Sequence, residues 1–409
     1  MKINSKNLKK FFSNLGVLIL IAMALGTIAG IVMKEDAEIF DPLGDIFIQL
    51  IKMLVVPLIF ISILSGALSL GATKKAGKVA FITLLFIFGT SILTGIISVF
   101  FGNWFQPGSG VSPELVEAFH NGEEVATAAA SAGFWETVKG FIPENPINAL
   151  ASGNILQIIV FCMLLGFGIG TVGGEKKELI AKFIDGLLDA LIWCVKVVMY
   201  IAPLGVFALM ASAVGTLGFD IFGKLANLLW LDILVLLLVW FGIYAVCIHF
   251  FSNVSVGQFL KAMIKPQVVA LSTSSSLATL AINMKVTEEE LKVSKETTAF
   301  VLPLGATINM TGNIVYYILA TLFFAQFYGI DLSMSAYISI IITATLSAVG
   351  QAGVPGPTLT LFAVLLAGGV PLDCVPLLFA VDRIFDMLRT TMNITGDACC
   401  AAVVDKYAK

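Results

Sequence analysis

The sequence predicts an all-α polytopic membrane protein with eight transmembrane helices and two re-entrant helical hairpins. Hydrophobic residues make up 58% of the 409 residues and charged residues 12%, which is too little charge to cover a soluble surface of this size. A span needs about 20 apolar residues. Such runs are Leu15 to Met33, Ile46 to Leu70, Val79 to Phe101, Ile155 to Val172, Leu187 to Leu209 and Leu225 to Phe251. The chain is therefore expected to cross a bilayer repeatedly, and without a basic patch we expect no nucleic-acid partner.

Lysine-rich segments alternate with acidic or neutral ones along the first six spans. Lys34 to Asp45 is one acidic segment, and the loop at 106–143 is another. Cytoplasmic loops carry an excess of lysine and arginine. The lysine-rich segments are Lys2 to Lys10, Lys74 to Lys78, Lys176 to Lys182, Lys261 to Lys265, Lys285 to Lys295 and Lys406 to Lys409. This pattern predicts a multi-pass protein of the cell's inner (plasma) membrane with both termini in the cytoplasm.

The alternation of charge breaks after the sixth span. Lys261 to Lys265 and Lys285 to Lys295 both read as cytoplasmic, although the segment between them is long enough for one crossing only. That segment also contains the polar run Ser272 to Ser276, which a lipid-facing helix would not tolerate. A re-entrant hairpin at about 255–290, entering from the cytoplasm, accounts for both observations.

A second break lies in Tyr337 to Val370, whose two ends both read as extracellular. Its centre, Gly350 to Pro357, is rich in glycine and proline and cannot continue a helix. We therefore expect a second hairpin at about 335–370, between a span at about 294–328 and a last span at about 372–405. Two hairpins that enter from opposite faces are typical of inverted repeats in secondary transporters, with the binding site between them.

Arginine occurs only at Arg383 and Arg389, both in the last apolar segment. On a helix with about 100° per residue, five polar residues of this segment fall within an arc of roughly 80°. They are Asp382, Asp386, Arg389, Asn393 and Asp397. One interpretation is a salt-bridge ladder that holds the helices together. The other is a binding stripe, in which Arg389 binds a substrate carboxylate. Asp386 would then receive an ammonium group, and Asp397 with Asn393 a small cation.

The preceding span has Thr, Asn and Gly crowded at its middle, in Gly305 to Asn313. This composition predicts an unwound turn whose free carbonyl groups hold a cation. Ordinary hydrogen bonds to neighbouring helices are the alternative. The serine run, the Gly-Pro tip and the stripe would all meet at the same place, which favours a binding site.

Four motifs occur in order along this half of the chain. They are the serine-rich Ser272 to Thr279, Gly-Ala-Thr-Ile-Asn-Met at Gly305 to Met310, Ala-Gly-Val-Pro-Gly at Ala352 to Gly356, and Asp386 to Asp397. With the topology, they resemble the dicarboxylate/amino acid:cation symporter family, also called the glutamate transporter family. The resemblance implies a homotrimer that works as an elevator. It also implies a scaffold of residues 1–75 and 109–216 and a mobile transport domain of residues 76–108 and 217–409.

The resemblance further implies the residues that hold the substrate. Arg389 would meet the side-chain carboxylate of the substrate, Asp386 its amino group and Asn393 its α-carboxylate. The other implied positions are Ser274, Ser275, Ser276, Met310, Asn313, Thr390, Gly353, Val354 and Pro355.

Three cation sites are implied in the same way. The residues of the first are Gly305, Asn309, Asn393 and Asp397. The residues of the second, beneath the outer hairpin, are Thr307, Ala348, Val349 and Gln351. The third would involve Thr90, Ser91 and Thr311.

The chain departs from the family pattern at four of these positions or beside them. Thr311 stands where the family has an aspartate and Ile87 where it has a tyrosine, so the third cation site lacks its carboxylate. Removing a negative charge from a cation site of low dielectric weakens cation binding. We therefore expect fewer coupled sodium ions than in the family, or a proton at one step. Asn313 and Gln351 replace threonines and are longer amides, which predicts a different fit to the ligand.

The sequence therefore predicts uptake of an acidic amino acid, aspartate or glutamate, with sodium as the coupling ion and a proton as the alternative. Arg389 and Asp386 together favour this substrate, because a plain dicarboxylate needs no ammonium partner and a neutral amino acid needs no arginine. A symporter of C4-dicarboxylates or other amino acids is the second hypothesis, and an anion channel is the third. We expect no enzyme, since the serine run has no histidine or lysine base. We expect no cofactor, and membrane lipid as the surrounding partner.

Overall fold

The computed structural model describes residues 15–72, 77–110, 139, 142–172, 174–217, 220–349, 360–372 and 375–408, and every regular element in these residues is a helix. In chain order the α-helices are α1 (Leu15–Met33), α2 (Asp41–Ala72), α3 (Gly77–Phe105), α4 (Pro146–Ser152), α5 (Ile155–Val172), α6 (Gly174–Leu217), α7 (Asp220–Leu238), α8 (Ala245–Phe251), α9 (Val256–Thr273), α10 (Ser276–Glu289), α11 (Lys295–Ile308), α12 (Thr311–Phe327), α13 (Met334–Val349), α14 (Leu361–Ala367) and α15 (Val375–Ala408). A 3-10 helix, Lys34–Phe40, joins α1 to α2, and a π-helical turn, Val239–Tyr244, joins α7 to α8. The predicted all-helical fold is confirmed.

Close backbone contacts hold α1 against α6. Gly26 and Gly30 lie one turn apart on α1 and face α6. A Cβ atom on Gly26 would lie 2.8 Å from Cβ of Met210, and one on Gly30 would lie 2.6 Å from Cβ of Val214. Such spacing of small residues lets two helices in a membrane approach closely enough for their backbones to touch.

α6 is bent at its middle. Its segments Gly174–Val198 and Tyr200–Gly215 meet at 49°. Pro203 lies inside this helix and has no N–H group to donate to the carbonyl of Met199, the residue at the break. The bend therefore has a local cause in the sequence.

α12 is the centre of the second half of the chain. Every residue of this helix except Gln326 is buried. α3, α7, α13, α14 and α15 pack around it. Gln326 accepts a hydrogen bond from the N–H of Gly108 at 3.1 Å and donates one to the carbonyl of Gly102 at 2.9 Å. These two bonds tie α12 to the end of α3.

Two helix pairs occupy the positions predicted for the hairpins. α9 and α10 pack against each other and against α15. Their turn contains Ser274 in the left-handed conformation, with φ 50°, and Ser275, which caps α10 by accepting from the N–H of Ala278 at 3.2 Å. α13 and α14 form the second pair, and the tip at 350–359 lies outside the described residues. Insertion of the two pairs from opposite faces of a membrane stays a prediction.

Within the described ranges, four helical stretches are long and apolar enough to cross a membrane, or five if the two segments of α6 form one span. The four are Val17–Phe47, Lys78–Phe105, Gly223–Phe251 and Lys295–Phe327. The prediction of several apolar spans is confirmed, whereas the number eight stays a prediction. The last helix, α15, is not apolar enough to be among them because it carries the charged stripe. In α5 the apolar stretch, Val160–Val172, is too short.

Candidate substrate and cation site

Arg389 lies at the middle of α15 and is 1% exposed. Its Nη1 donates to Oδ1 of Asp382 at 2.9 Å, and its Nη2 donates to Oδ2 of the same residue at 3.3 Å. Nε donates to Oδ1 of Asp386 at 3.2 Å, and Nη1 of Arg383 lies 3.7 Å from the other oxygen of Asp386. Spacings of three and seven residues place these side chains on one helix face, as the sequence predicts. The ion pairs of the salt-bridge interpretation are therefore present.

Aromatic rings pack beneath the guanidinium of Arg389. Its Cζ atom lies 5.0 Å from the ring centroid of Tyr316. The ring of Tyr316 in turn lies 4.8 Å from that of Phe385, and both rings are buried. A desolvated cation–π contact contributes about 2 kcal/mol. Two carboxylates and one ring thus fix the position of the guanidinium.

A helix break between α11 and α12 forms the second part of the site. α11 ends at Ile308 and α12 begins at Thr311. Between them Asn309 has φ −98° and ψ 74°, and Met310 has φ −105° and ψ 55°. The predicted unwound turn is therefore present. The N–H of Asn309 donates to the carbonyl of Gly305 at 2.8 Å.

The carboxylate of Asp397 meets this turn. Nδ2 of Asn309 donates to Oδ1 of Asp397 at 2.9 Å, and Oγ1 of Thr311 donates to Oδ1 of Asn309 at 3.2 Å. Glycine at 305 makes the approach feasible, because a Cβ atom on Gly305 would lie 2.5 Å from the same oxygen of Asp397. The structure thus brings together three of the residues predicted for the first cation site, and all of them are buried. Their oxygens are the ligand type that hard cations prefer.

Asn393 connects the two parts of the site. Its Oδ1 accepts from the N–H of Gly312 at 2.8 Å, and its Nδ2 donates to Oδ1 of Asn313 at 2.9 Å. One turn of α15 separates it from Arg389 on one side and from Asp397 on the other. The first turn of α12 is therefore fastened to α15 midway between the arginine and the cation-site carboxylate.

Asn313 links Asn393 to the second helix pair through hydrogen bonds. Its Nδ2 donates to the hydroxyl of Tyr317 at 3.2 Å, and that hydroxyl lies 2.6 Å from Oγ1 of Thr360. Thr360 comes directly before α14. A chain of hydrogen bonds therefore runs from Asn393 through α12 to the start of α14.

The first helix pair lies beside the same part of α15. Nδ2 of Asn283 donates to the carbonyl of Ile394 at 2.9 Å, and Nε2 of Gln267 donates to Oγ1 of Thr395 at 3.0 Å. Ser274 to Ser276 are all buried, and Oγ of Ser274 has no hydrogen-bond partner among the described residues. The predicted serine contribution to the substrate site stays a prediction.

Two of the hydroxyl groups predicted for the other cation sites donate within their own helices. Oγ1 of Thr90 donates to the carbonyl of Phe86 at 2.8 Å, and Oγ1 of Thr307 donates to that of Leu304 at 2.8 Å. Such a hydroxyl oxygen keeps acceptor capacity for a cation. Ser91 is buried next to Thr90 on α3, which packs along α12.

Some of the remaining predicted residues lie in described parts of the chain. Met310 and Thr390 are buried, with Sδ of Met310 3.2 Å from Nδ2 of Asn393. Ala348 is buried in the last turn of α13, which ends at Val349. The predicted positions outside the described residues are Gln351, Gly353, Val354 and Pro355.

Tyr244 joins the cation site although no sequence pattern predicts it there. It ends the π-helical turn and is fully buried, with its hydroxyl next to that of Thr311. A Cβ atom on Gly396 would lie 2.9 Å from Nδ2 of Asn309 and would collide with the hydroxyl of Tyr244. Glycine at 396 therefore leaves room for both groups. π-helical turns often occur at functional sites. Such a turn inserts only one residue and leaves the apolar pattern of the span unchanged, so the sequence gives no sign of it.

A comparison with known protein families gives a match over nearly the whole chain. Residues 15–407 match the description "Sodium:dicarboxylate symporter family". The chain belongs to this family. It is therefore a multi-pass membrane protein and a cation-coupled symporter rather than an enzyme, as the sequence predicts.

Curated relatives from bacteria span nearly the whole chain. It is 34% identical over 412 residues to the proton/sodium-glutamate symport protein of Bacillus subtilis (strain 168), which covers 98% of this chain and 94% of the relative. It is 33% identical over 407 residues to the proton/glutamate-aspartate symporter of Escherichia coli (strain K12), with 95% and 92% covered. It is 31% identical over 401 residues to the C4-dicarboxylate transport protein of Bacillus subtilis (strain 168), with 97% and 94% covered. Identity alone does not separate these two substrate classes.

Proposed function

We propose that the protein takes up an acidic amino acid, aspartate or glutamate, together with sodium. The observation that carries this proposal is the contact of Arg389 with both oxygens of Asp382, at 2.9 and 3.3 Å, in a site where the arginine is 1% exposed. A planar guanidinium binds carboxylates in this two-oxygen manner. A substrate carboxylate would take the place of Asp382 on Arg389.

Asp386 supports an amino acid over a plain dicarboxylate. It lies 3.0 Å from Nη2 of Arg389 and is 6% exposed. A second carboxylate of the substrate near Asp382 and Asp386 would be repelled, because like charges in a low-dielectric site interact strongly. An ammonium group would be attracted by the same two aspartates.

For the coupling cation we favour the turn at Asn309. Asp397 is 1% exposed and accepts from the neutral amide of Asn309. Among the described residues no group of three or more His, Cys, Asp or Glu side chains is placed to hold a metal ion. One carboxylate with neutral carbonyl, amide and hydroxyl oxygens suits a singly charged hard cation better than a divalent one. Sodium fits this description, and Thr311 supplies a hydroxyl where a further carboxylate would add a charge.

The proposed architecture is the one expected from the sequence. Eight spans and two re-entrant hairpins would form inverted repeats, with both termini in the cytoplasm. Residues 1–75 and 109–216 would be the scaffold of a homotrimer, and residues 76–108 and 217–409 the part that moves as an elevator. In support, the substrate and cation residues described above all lie within the second group of residues.

Transport of a C4-dicarboxylate is the second candidate, and Asn313 favours it. The amide of Asn313 is engaged by Asn393 at 2.9 Å and by Tyr317 at 3.2 Å. It lies next to the site where an amino acid would present its charged groups, and it offers a neutral donor to a second carboxylate. The C4-dicarboxylate relative makes this a concrete alternative.

Uptake by purified protein in liposomes tests both candidates. Labelled aspartate, glutamate and succinate are offered under an inward sodium gradient, a pH gradient or neither. We expect concentrative uptake of aspartate or glutamate that depends on sodium and is competed weakly by succinate. One charge moving through 100 mV supplies about 2.3 kcal/mol, and a tenfold gradient of solute costs about 1.4 kcal/mol. Uptake of succinate alone selects the second candidate, and anion currents without accumulation select the channel.

A further inference from the structure

A buried carboxyl group lies on α7, outside the residues discussed above. Asp232 is 1% exposed, and neither of its carboxyl oxygens has a hydrogen-bond partner in the part of the chain that the structure describes. Leu228, Leu231, Val235 and Leu236 share its face of α7 and are at most 4% exposed. Asp232 is therefore an acid in an otherwise apolar layer.

Few charged or titratable groups face Asp232. α7 packs against α12, α3, α15 and α6. α15 contributes Arg389, whose charge acts on Asp232, and α12 contributes Tyr316, on which Asp232 acts in turn. Tyr244 ends the π-helical turn that follows α7. Residues 79–105 of α3 and 201–217 of α6 contain no ionisable side chain.

The charges around Arg389 balance without Asp232. Arg383 and Arg389 offset Asp382 and Asp386, all within ion-pair distance of a partner. An ionised Asp232 would add a negative charge with no hydrogen-bond donor among the described residues, which is costly in an apolar environment. A protonated Asp232 leaves the cluster neutral. The cost of each form therefore depends on what else occupies Arg389.

We infer that Asp232 is a proton-binding group of the transport cycle, which binds its proton more tightly when an acidic substrate occupies Arg389 and more weakly when the substrate leaves. The inference rests on the proposed function, because it requires an anionic substrate at that arginine. The proton comes from water and bonds to a carboxyl oxygen, and no other bond changes.

The coupling arises because two carboxylates compete for one guanidinium charge. With Asp232 ionised, Arg389 already balances an additional negative charge, and a substrate carboxylate gains less from it. With Asp232 protonated, that charge is available to the substrate. By linkage, substrate binding and protonation of Asp232 favour each other by the same factor.

A packing role is the alternative for Asp232, as a neutral acid that fills space between helices. In that case substrate binding would move no proton at this residue, and replacing the acid would change stability alone. The two roles are therefore separated by counting protons.

The first measurement is proton uptake on substrate binding. The purified full-length protein is mixed with aspartate or succinate in weakly buffered solution with a pH indicator. We expect the wild type to take up at most about one proton per bound substrate, at a pH where Asp232 is largely ionised before substrate binds, and the neutral, isosteric variant Asp232→Asn to take up none. The matched control Asp331→Asn changes an exposed aspartate and should behave as the wild type does.

The second measurement is the pH dependence of the dissociation constant. Substrate affinity of the wild type should fall by up to about tenfold per pH unit as Asp232 loses its proton, whereas that of Asp232→Asn should stay level. Wild-type protein without this dependence, or Asp232→Asn with an unchanged one, overturns the inference. Binding of succinate but not aspartate contradicts the proposed substrate and leaves the proton count at Asp232 to be decided with succinate.

A third measurement requires no substrate. Infrared difference spectra between acid and alkaline pH should show a protonated carboxyl band that is missing in Asp232→Asn and shifted in Asp232→Glu. If Asp232→Asn does not fold, as judged by size-exclusion chromatography, the shifted band and the pH dependence of Asp232→Glu decide. If neither ligand binds, the proposed function fails, and the band alone supports or overturns Asp232 as a proton site.

Discussion

The two ends of the polar stripe on α15 bury charge in different ways. At Arg389 the guanidinium meets two carboxylates within 3.3 Å, so opposite charges face each other. At Asp397, two turns further on, the carboxylate is buried against the neutral amide of Asn309 at 2.9 Å. A buried charge requires an opposite charge or several donors. The first end can therefore exchange one anion for another, whereas the second end calls for a cation.

The largest expected effect comes from removing the charge at the cation end. Asp397→Asn should weaken sodium binding by about 100-fold or more, because one unit charge is lost from a low-dielectric site. Sodium titration of the thermal unfolding temperature measures this. Asp331→Asn, on the surface, should keep the wild-type response. A normal sodium response in Asp397→Asn would show that the cation binds elsewhere.

Replacing the guanidinium of Arg389, at the other end of the stripe, with a lysine ammonium group should have the next largest effect. Arg389→Lys keeps a positive charge beside Asp382 but loses the planar fork, so substrate affinity should fall by about 10- to 100-fold, or about 1.4–2.8 kcal/mol. The matched control is Arg383→Lys, because that arginine is 3.7 Å from Asp386 and its side chain is 15% exposed. Binding titration of both variants checks the comparison, and equal losses would contradict a special role for Arg389.

Adding a carboxylate at the Asp397 end of the stripe should increase the difference in charge between the two ends. Thr311 is fully buried and donates to Asn309, so Thr311→Asp would place a second acid near Asp397. We expect about tenfold tighter sodium binding, a steeper dependence on sodium, and lower stability in sodium-free buffer, where the extra charge is unpaired. Thr311→Asn, which adds bulk without charge, is the control. The same gain in Thr311→Asn would point to shape rather than charge.

The smallest expected effect concerns the link from the stripe to α14. Tyr317→Phe removes the hydroxyl that joins Asn313 to Thr360, which should lower the free energy of unfolding by about 1–2 kcal/mol. Thermal or denaturant unfolding measures this. Tyr407→Phe, on an exposed side chain, should change stability little. A loss of sodium binding in Tyr317→Phe would show that the cation site is coupled to α14 through this hydroxyl.

The helices and the polar stripe could be predicted because both follow from local rules. Apolar runs of membrane-spanning length form helices, and fixed angular spacing places Arg389 on the same face as Asp382. The break at Asn309 could be predicted as well, since Gly and Asn at mid-span weaken a helix. These features depend on residues that are close in sequence.

The rest depends on packing between distant segments. The sequence places Asp382 two turns from Arg389 but does not reveal that it accepts from both terminal nitrogens of the guanidinium, Nη1 and Nη2. The π-helical turn that brings Tyr244 to Asn309 leaves no compositional trace. Asp232 reads as one acid in an apolar run, and the helices around α7 show that its carboxyl group is buried without a hydrogen-bond partner among the described residues.

α12 is surrounded by protein, and this has a consequence for how the bilayer acts on the site. An 18-residue window of Lys295–Phe327 has a mean hydropathy of 1.4 and is 100% buried, whereas the window of Lys78–Phe105 has 2.3 and is 39% buried. A photoreactive group carried in lipid tails should therefore label α3 at Phe81, Leu85 and Trp104, which are exposed, and leave α12 unlabelled. Bilayer thickness and lipid composition can thus reach the cation site only through the surrounding helices.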